Sequence, residues 1–372
     1  MTVSHASAES DWSLAELCAI SLMVFTLSVL LHSPFLVPNI YSDINSVWAR
    51  PEIHSSNLPY VGYAFDYPAL VAWLLYLSTR SDYTAYITIQ AAALGLSVLV
   101  VVVALRKLSV PTFAVLLYVV AAPTMLVYGF YNWDLMMVAL ALLAVLAFKQ
   151  KRIVTTGFLL GLSAATKVYS LVFAPILLSE IRTWRERTFL ALSCGVGWLL
   201  PNLPFMLINW NGWFGTWVFY GNWGFEDTWL LLLSPGDHYN FFVKAFGFFL
   251  LAIVLLRVTI SPEPNTALNK RLLMVALAWL LFSYISTPQM VLFLLPLFAL
   301  TRTRYSIFYA SEISNALIIL TWFTTSNPIT PEATPALLNL LRQGVWSLLL
   351  FAYLVPNWKN FLRWLKAPLT PL

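Results

Sequence analysis

The chain has 372 residues, 60% of them hydrophobic and only 10% charged, where an ordinary soluble domain carries about 25% charged residues. A soluble fold of this size would lack the polar surface to cover itself and is excluded. The net charge of +5 sits in short basic clusters between apolar runs, a pattern that orients membrane spans and does not suggest nucleic-acid binding.

In chain order, the first predicted span is about Leu14–Leu31. It follows a polar, slightly acidic start without a basic n-region, so it reads as a retained span and not a cleaved signal. A polar stretch, His32–Tyr67, precedes a short apolar segment, Pro68–Leu77, and a span at about Tyr83–Leu105 that ends in Arg106-Lys107. Spans at about Pro111–Val127 and Trp133–Phe148 enclose the turn at 128–132, and the second stops at Lys149-Gln150-Lys151-Arg152.

Residues 153–181 are largely apolar but carry Lys167 in the middle, and they lead to Arg182, Arg185 and Arg187. One straight helix would put these two basic clusters on opposite faces of the membrane, against the positive-inside preference. Two arms of about 13 residues, each rising about 20 Å, fall short of a core of about 30 Å. The stretch therefore reads as a short-armed hairpin with Lys167 at its apex. A span at about Thr188–Ile208, a loop at Asn209–Tyr239 and a span at about Asn240–Arg257 follow. A second hairpin runs from Lys270-Arg271 to Arg302 and Arg304, with Ser286-Thr287-Pro288-Gln289 at its apex. Spans at about Tyr305–Phe323 and Leu338–Leu354 precede a tail with Lys359, Arg363 and Lys366.

Sixteen of the 21 Lys and Arg residues then fall on one side, the exceptions being Arg50, Arg80, Lys167, Lys244 and Arg342. That asymmetry puts both termini in the cytoplasm and the loops at 32–82 and 209–239 outside. The expectation is one all-α domain over residues 1–372, a polytopic transmembrane helical bundle of about twelve segments, including the two short-armed hairpins. Compact loops favour the plasma membrane of a prokaryote, with the endoplasmic reticulum as the alternative. Cys18 and Cys194 lie in apolar segments and do not suggest a disulfide framework. The four histidines show no metal spacing. No Walker loop, dinucleotide fingerprint or nucleophile elbow occurs, and no soluble domain offers a nucleotide site.

Ionisable groups in a bilayer are costly and mark function. Lys167 has no carboxylate near it in sequence, so either a lipid phosphate or one of Asp43, Asp66 and Asp134 should meet it in space. Asp43, a dozen residues past the first span, is placed to accept a proton from a sugar or lipid hydroxyl, or to cap a local turn. Asp66 and Asp134 sit at predicted helix starts, where the helix dipole favours them. The second loop, with Phe219, Tyr220, Asn222, Trp223, Glu226 and Asp227, offers aromatic faces and amides suited to sugars, or, at Trp213 and Trp229, an interfacial helix with an aromatic belt.

Four elements together resemble the GT-C superfamily of polytopic glycosyltransferases: Tyr41-Ser42-Asp43-Ile44-Asn45; Phe65-Asp66-Tyr67-Pro68-Ala69-Leu70; the glycine-rich run from Gly157 through Gly161 to Lys167-Val168-Tyr169; and Gln289 followed by Pro296. The resemblance is closest to polyprenyl-phosphate-mannose-dependent mannosyltransferases, a group that includes the catalytic subunit of GPI mannosyltransferase I and prokaryotic alpha-mannosyltransferases. Where the GPI enzyme has Asp-x-Asp, this chain has Asp43 and Asn45, which argues against a two-carboxylate or metal-dependent mechanism. The resemblance implies a dolichyl-type, polyprenyl-phosphate sugar donor and a glycolipid or glycan acceptor, with no cofactor. It implies Asp43 as general base. It also suggests Lys167, Arg50 or Arg80 against the phosphate, and Asp66, Tyr67, Tyr169, Gln289, Asn222 and Trp223 as further substrate contacts. A transporter or lipid flippase is the rival reading, because it would share broken helices and a buried charge.

Overall fold

The computed structural model describes residues 12–33, 40–55, 57–260, 267–328, 330 and 332–355. Residues 37–39, which precede the Asp43 motif, and the tail cations Lys359, Arg363 and Lys366 lie outside the described residues. Among the described residues the chain is helical, with isolated bridges and no strand. Helices satisfy their own backbone groups, which is what an apolar surround requires.

Helix α1 (Leu14–Leu31) opens with a capping box, Ser13 and Glu16 exchanging hydrogen bonds across the first turn. Short α2 (Asp43–Trp48) and α3 (Ala69–Ser78) follow, then α4 (Tyr83–Lys107), capped by the Asp82 carboxylate. The span expected at Pro111–Val127 is instead broken. It forms α5 (Thr112–Val115), a π turn at Leu116–Val120 and α6 (Pro123–Tyr128). Pro123 holds Ala122 extended, at ψ 126°, so the helix must restart there. Then come α7 (Asp134–Lys149), α8 (Ile153–Thr166), α9 (Phe173–Glu180) and α10 (Trp184–Ile208). The loop expected at 209–239 holds a further helix, α11 (Trp210–Gly221), docked on α10 by the Trp213 indole donating to Asn202 at 2.8 Å. The C-terminal part contains α12 (Phe241–Ile260), α13 (Leu268–Phe282), α14 (Leu295–Thr301), α15 (Tyr305–Trp322) and α16 (Thr334–Leu354).

Five of these, α1, α4, α10, α12 and α16, are long and apolar enough to cross a membrane. The expected count of about twelve also includes shorter and broken segments, which fall outside that criterion.

The segment around Lys167 doubles back. A Cβ on Gly157 would collide with Leu190 and Ser193, and one on Gly161 with the Cys194 carbonyl and Trp198. Both contacts advance in the same direction, so α8 and α10 are parallel neighbours and the chain must return between them. The return is a break at Lys167, whose backbone is extended (φ −154°), a 3₁₀ turn at Val168–Val172, and α9. The second hairpin has the same form: α13, an extended bend at 283–287, a 3₁₀ turn at Pro288–Phe293, and α14. Both apices meet in the interior.

The five cations that break the charge pattern all have local partners. Arg50 forms a bidentate pair with Asp66 at 2.8 and 3.1 Å. Arg80 lies 4.0 Å from the Tyr76 ring centre. Lys167 approaches Asp134 at 3.7 Å. Lys244 donates to the carbonyls of Gly221 and Trp223, at the negative end of α11. Arg342 is fully buried and donates to Asn315, Asn339 and the Ser286 carbonyl.

The α8–α10 contact predicts opposite outcomes for two glycines. Gly161→Ala should lower the melting temperature in detergent, because its methyl meets backbone, at a cost of about 1–3 kcal/mol. Gly195→Ala, with nothing within 4 Å of the added carbon, should be neutral or stabilising by up to about 1 kcal/mol. Equal shifts would contradict the parallel packing.

Candidate active site

The two hairpin apices, the first loop and the second loop enclose a cavity of about 620 Å³. Asp43, Arg50, Asp66 and Tyr67 line it from the first loop, Lys167 and Tyr169 from the first apex, and Gln289 from the second. Trp223 and Glu226 line it from the second loop. Eight of the ten residues that the resemblance assigns to the site therefore meet in one chamber. Arg80 and Asn222 are not among the lining residues. Arg80 stacks on Tyr76, and Asn222 closes the C-terminal end of α11.

Asp43 opens α2, whose cap is the Ser42 hydroxyl accepting from the Asn45 N–H at 3.3 Å. The structural reading of Asp43 as a cap therefore passes to Ser42, and the Asp43 carboxylate is left to face the cavity. Asn132 donates to it at 3.3 Å, and Tyr41 also hydrogen-bonds it. Burial raises its pKa above the usual carboxylate value, with Lys167 and Asn132 opposing that rise and Asp134 adding to it.

Asn45 explains the missing second acid. Its amide nitrogen donates to the His32 carbonyl, and its oxygen accepts from the Tyr83 hydroxyl at 2.8 Å. The side chain thus clamps α2 between the end of α1 and the start of α4. An ionised Asp has no donor for the carbonyl.

Lys167 is held between Asp134 at 3.7 Å and the Tyr67 ring at 5.3 Å, with 16% of its side chain exposed. Asp134 is fully buried, and one of its oxygens accepts from the Tyr169 hydroxyl. The other has no hydrogen bond and faces Lys167 across a gap longer than a hydrogen bond. The ammonium is therefore balanced in charge while still open to the cavity. Asp66 is taken up by Arg50 instead of serving only a helix start.

Asn132 escapes the sequence reading, and Glu226 stands there only as one acid of the second loop, with no role of its own. Asn132 bridges the two acids: its amide donates to Asp43 while its oxygen accepts from the Asp134 N–H at 3.0 Å. An Asn two residues before a helix-starting Asp was the available signal, since Asx side chains commonly bond backbone two residues on. Glu226 faces the chamber because a parallel bridge joins it to Ile285, its N–H donating to the Tyr284 carbonyl at 3.0 Å and its carbonyl accepting from Ser286 at 2.9 Å. Burial raises its pKa, the Trp223 hydrogen bond lowers it, and the Asp43 charge adds to the rise. Its neighbour Asp227 is pushed up to about 7 by burial. No local pattern signals that bridge. Among the described residues no group of three or more His, Cys, Asp or Glu is arranged to hold a metal ion.

Helices long and apolar enough to cross a membrane, packed around an internal chamber that holds both acids and a lysine, define a polytopic membrane protein with a polar interior site. The model of glycosyltransferase family 87 matches residues 65–284, more than half of the chain, and the chain belongs to that family. No curated protein matches it. Family membership makes the chain a membrane enzyme that transfers sugar from a donor to an acceptor. The transporter alternative is left without support.

The clamp at Asn45 gives a direct test. Asn45→Asp should destabilise the protein by about 1–3 kcal/mol, the cost of leaving a buried acceptor unpaired, read as a lower melting temperature in detergent. A gain of metal-dependent activity with unchanged stability would contradict this assignment.

Proposed function

We propose that the chain transfers a hexose, mannose by resemblance, from a polyprenyl-phosphate sugar to a hydroxyl of a glycolipid or glycan acceptor. In this reading the cavity opens on the extracytoplasmic side of the membrane, that of a prokaryotic cell by its compact loops. Asp43 takes the proton of the acceptor hydroxyl. The oxygen attacks the anomeric carbon, and the bond from that carbon to the phosphate oxygen breaks. The phosphate leaves with the electron pair, and the configuration inverts. In this reading Lys167 meets the charge that develops on the leaving phosphate, and a preformed cation costs no reorganisation. Arg50, held by Asp66, is the second cation within the chamber.

The observation that carries the reading is that Asp43 and Lys167, 124 positions apart in the numbering, share one aromatic-lined chamber. A base and an anion-binding cation are what an acceptor hydroxyl and a lipid phosphate require. Tyr67, Tyr169, Gln289 and Trp223 complete the walls around them.

Asp43→Asn should abolish glycosyl transfer while leaving donor binding nearly intact, measured by product mass spectrometry and by donor titration of the purified protein. Full activity in that variant would remove Asp43 as the base. In the wild type, a base with a raised pKa is competent only when ionised. The acid limb of kcat/KM should therefore lie above the ordinary carboxylate value of 3.8, with activity falling as pH drops through it. Lys167→Met should weaken donor binding about tenfold or more, as expected for loss of a charge-assisted contact. Unchanged donor affinity would restrict Lys167 to its ion pair with Asp134.

A further inference from the structure

We propose that Glu226 is a specificity-determining residue that accepts hydrogen bonds from the hydroxyls of a pyranose held in the cavity, with Trp223 as its support. The inference rests on the sugar-transfer reading above and assigns it a hydroxyl subsite.

Glu226 is built into position and not left on a mobile loop tip. Its backbone is fixed to the second apex by the bridge to Ile285. Its side chain receives the Trp223 indole N–H at 2.7 Å on one oxygen. The loop does not need the carboxylate for its own attachment, which the backbone already provides. Among the described residues no Lys or Arg forms an ion pair with Glu226. Yet the group lies within electrostatic reach of both Asp43 and Lys167. A half-buried carboxylate without a cation costs desolvation unless something donates to it.

The charges in the chamber limit what that donor can be. An anionic group would be repelled by Asp43 and Glu226 together and would settle by Lys167. A neutral polyol would not be repelled. An ionised carboxylate is acceptor-only, with about four lone-pair positions, and Trp223 uses one. The aromatic rings beside it fit the same ligand. Trp223 packs edge-to-face on Phe219 at 4.8 Å, and both line the cavity with Tyr220. An apolar ring wall next to an acceptor suits a sugar, which carries C–H faces and hydroxyl edges. The chamber is thus divided: phosphate chemistry at the lysine, hydroxyl chemistry at the two acids.

The sugar read by Glu226 belongs either to the donor or to the acceptor, and one experiment separates them. Transfer kinetics would be measured for the wild type, Glu226→Gln and Glu226→Ala. The substrates would be a polyprenyl-phosphate mannose and its monodeoxy analogues, and an alkyl mannoside acceptor and its monodeoxy analogues. In the wild type, one deoxy position should carry a large penalty, because a site built to bond a hydroxyl rejects the analogue lacking it. Glu226→Ala should lower kcat/KM about 10- to 100-fold, the loss of a hydrogen bond to a charged group, and should erase that one penalty. A purely structural role would lower activity without erasing it. The series in which the penalty vanishes names the sugar. Glu226→Gln keeps the shape and should give the same pattern in weaker form, which covers the case of an alanine variant that does not fold. Unchanged deoxy penalties in both series, or wild-type kcat/KM in both variants, would overturn the proposal. A wild type that makes no product from any lipid-linked hexose would refute the transfer reading itself, and the subsite with it.

Discussion

An ammonium group set halfway along an apolar segment must be met by negative charge, and much of this architecture follows from that requirement. Lys167 interrupts what would otherwise be one helix, and the chain turns back at that point. Asp134, at the start of α7, supplies the countercharge, and Tyr169 and Asn132 hold the acid in place. The balance is incomplete in geometry, since the nearest approach is 3.7 Å and one Asp134 oxygen lacks a hydrogen bond. A pair of this kind keeps its charges close to neutral overall while leaving the cation able to engage another anion. The glycines at 157 and 161 serve the same end, because only their missing side chains let α8 lie close enough to α10 to present the apex inward.

A second buried network keeps the chamber from collapsing or splaying. Arg342 gathers the second apex through the Ser286 carbonyl, α15 through Asn315, and its own helix through Asn339. Gln343, one residue on, holds the Asp227 carbonyl at 2.7 Å and receives the Trp229 N–H at 2.8 Å. The second loop is thereby tied to α16, and the bridge from Glu226 to Ile285 ties it to the apex. Walls that come from four distant parts of the chain are thus held by directed bonds, as a preorganised site requires.

The sequence reading was accurate where a single local rule governs. Apolar length places α1, α4 and α12 closely, and the opposition of basic clusters predicts the doubling back at Lys167. It failed where tertiary contact decides. Pro123 broke a stretch whose hydropathy alone read as one span. The aromatic composition of the second loop allows an interfacial helix at Trp213, where α11 forms, but not the packing of that helix, which depends on an indole finding Asn202. Arg342 looked like an exception to charge bias, and only the folded chain supplies its acceptors. Asp43, a loop acid, and Lys167, a buried cation, are expected from the sequence to share one site. Their convergence follows from the hairpin; the Asn132 link carries a short-range Asx signal, whereas the placing of Glu226 follows from a pairing that no spacing encodes.

The central claim is that donor phosphate and acceptor base meet in the chamber between Lys167 and Asp43. An experimental structure with a non-transferable polyprenyl-phosphonate sugar tests this most directly. The phosphonate should lie in contact with the Lys167 ammonium, with the anomeric carbon turned toward Asp43 and the chain leaving into the membrane. A phosphonate bound outside this chamber, with Lys167 still engaged only by Asp134, would contradict the account.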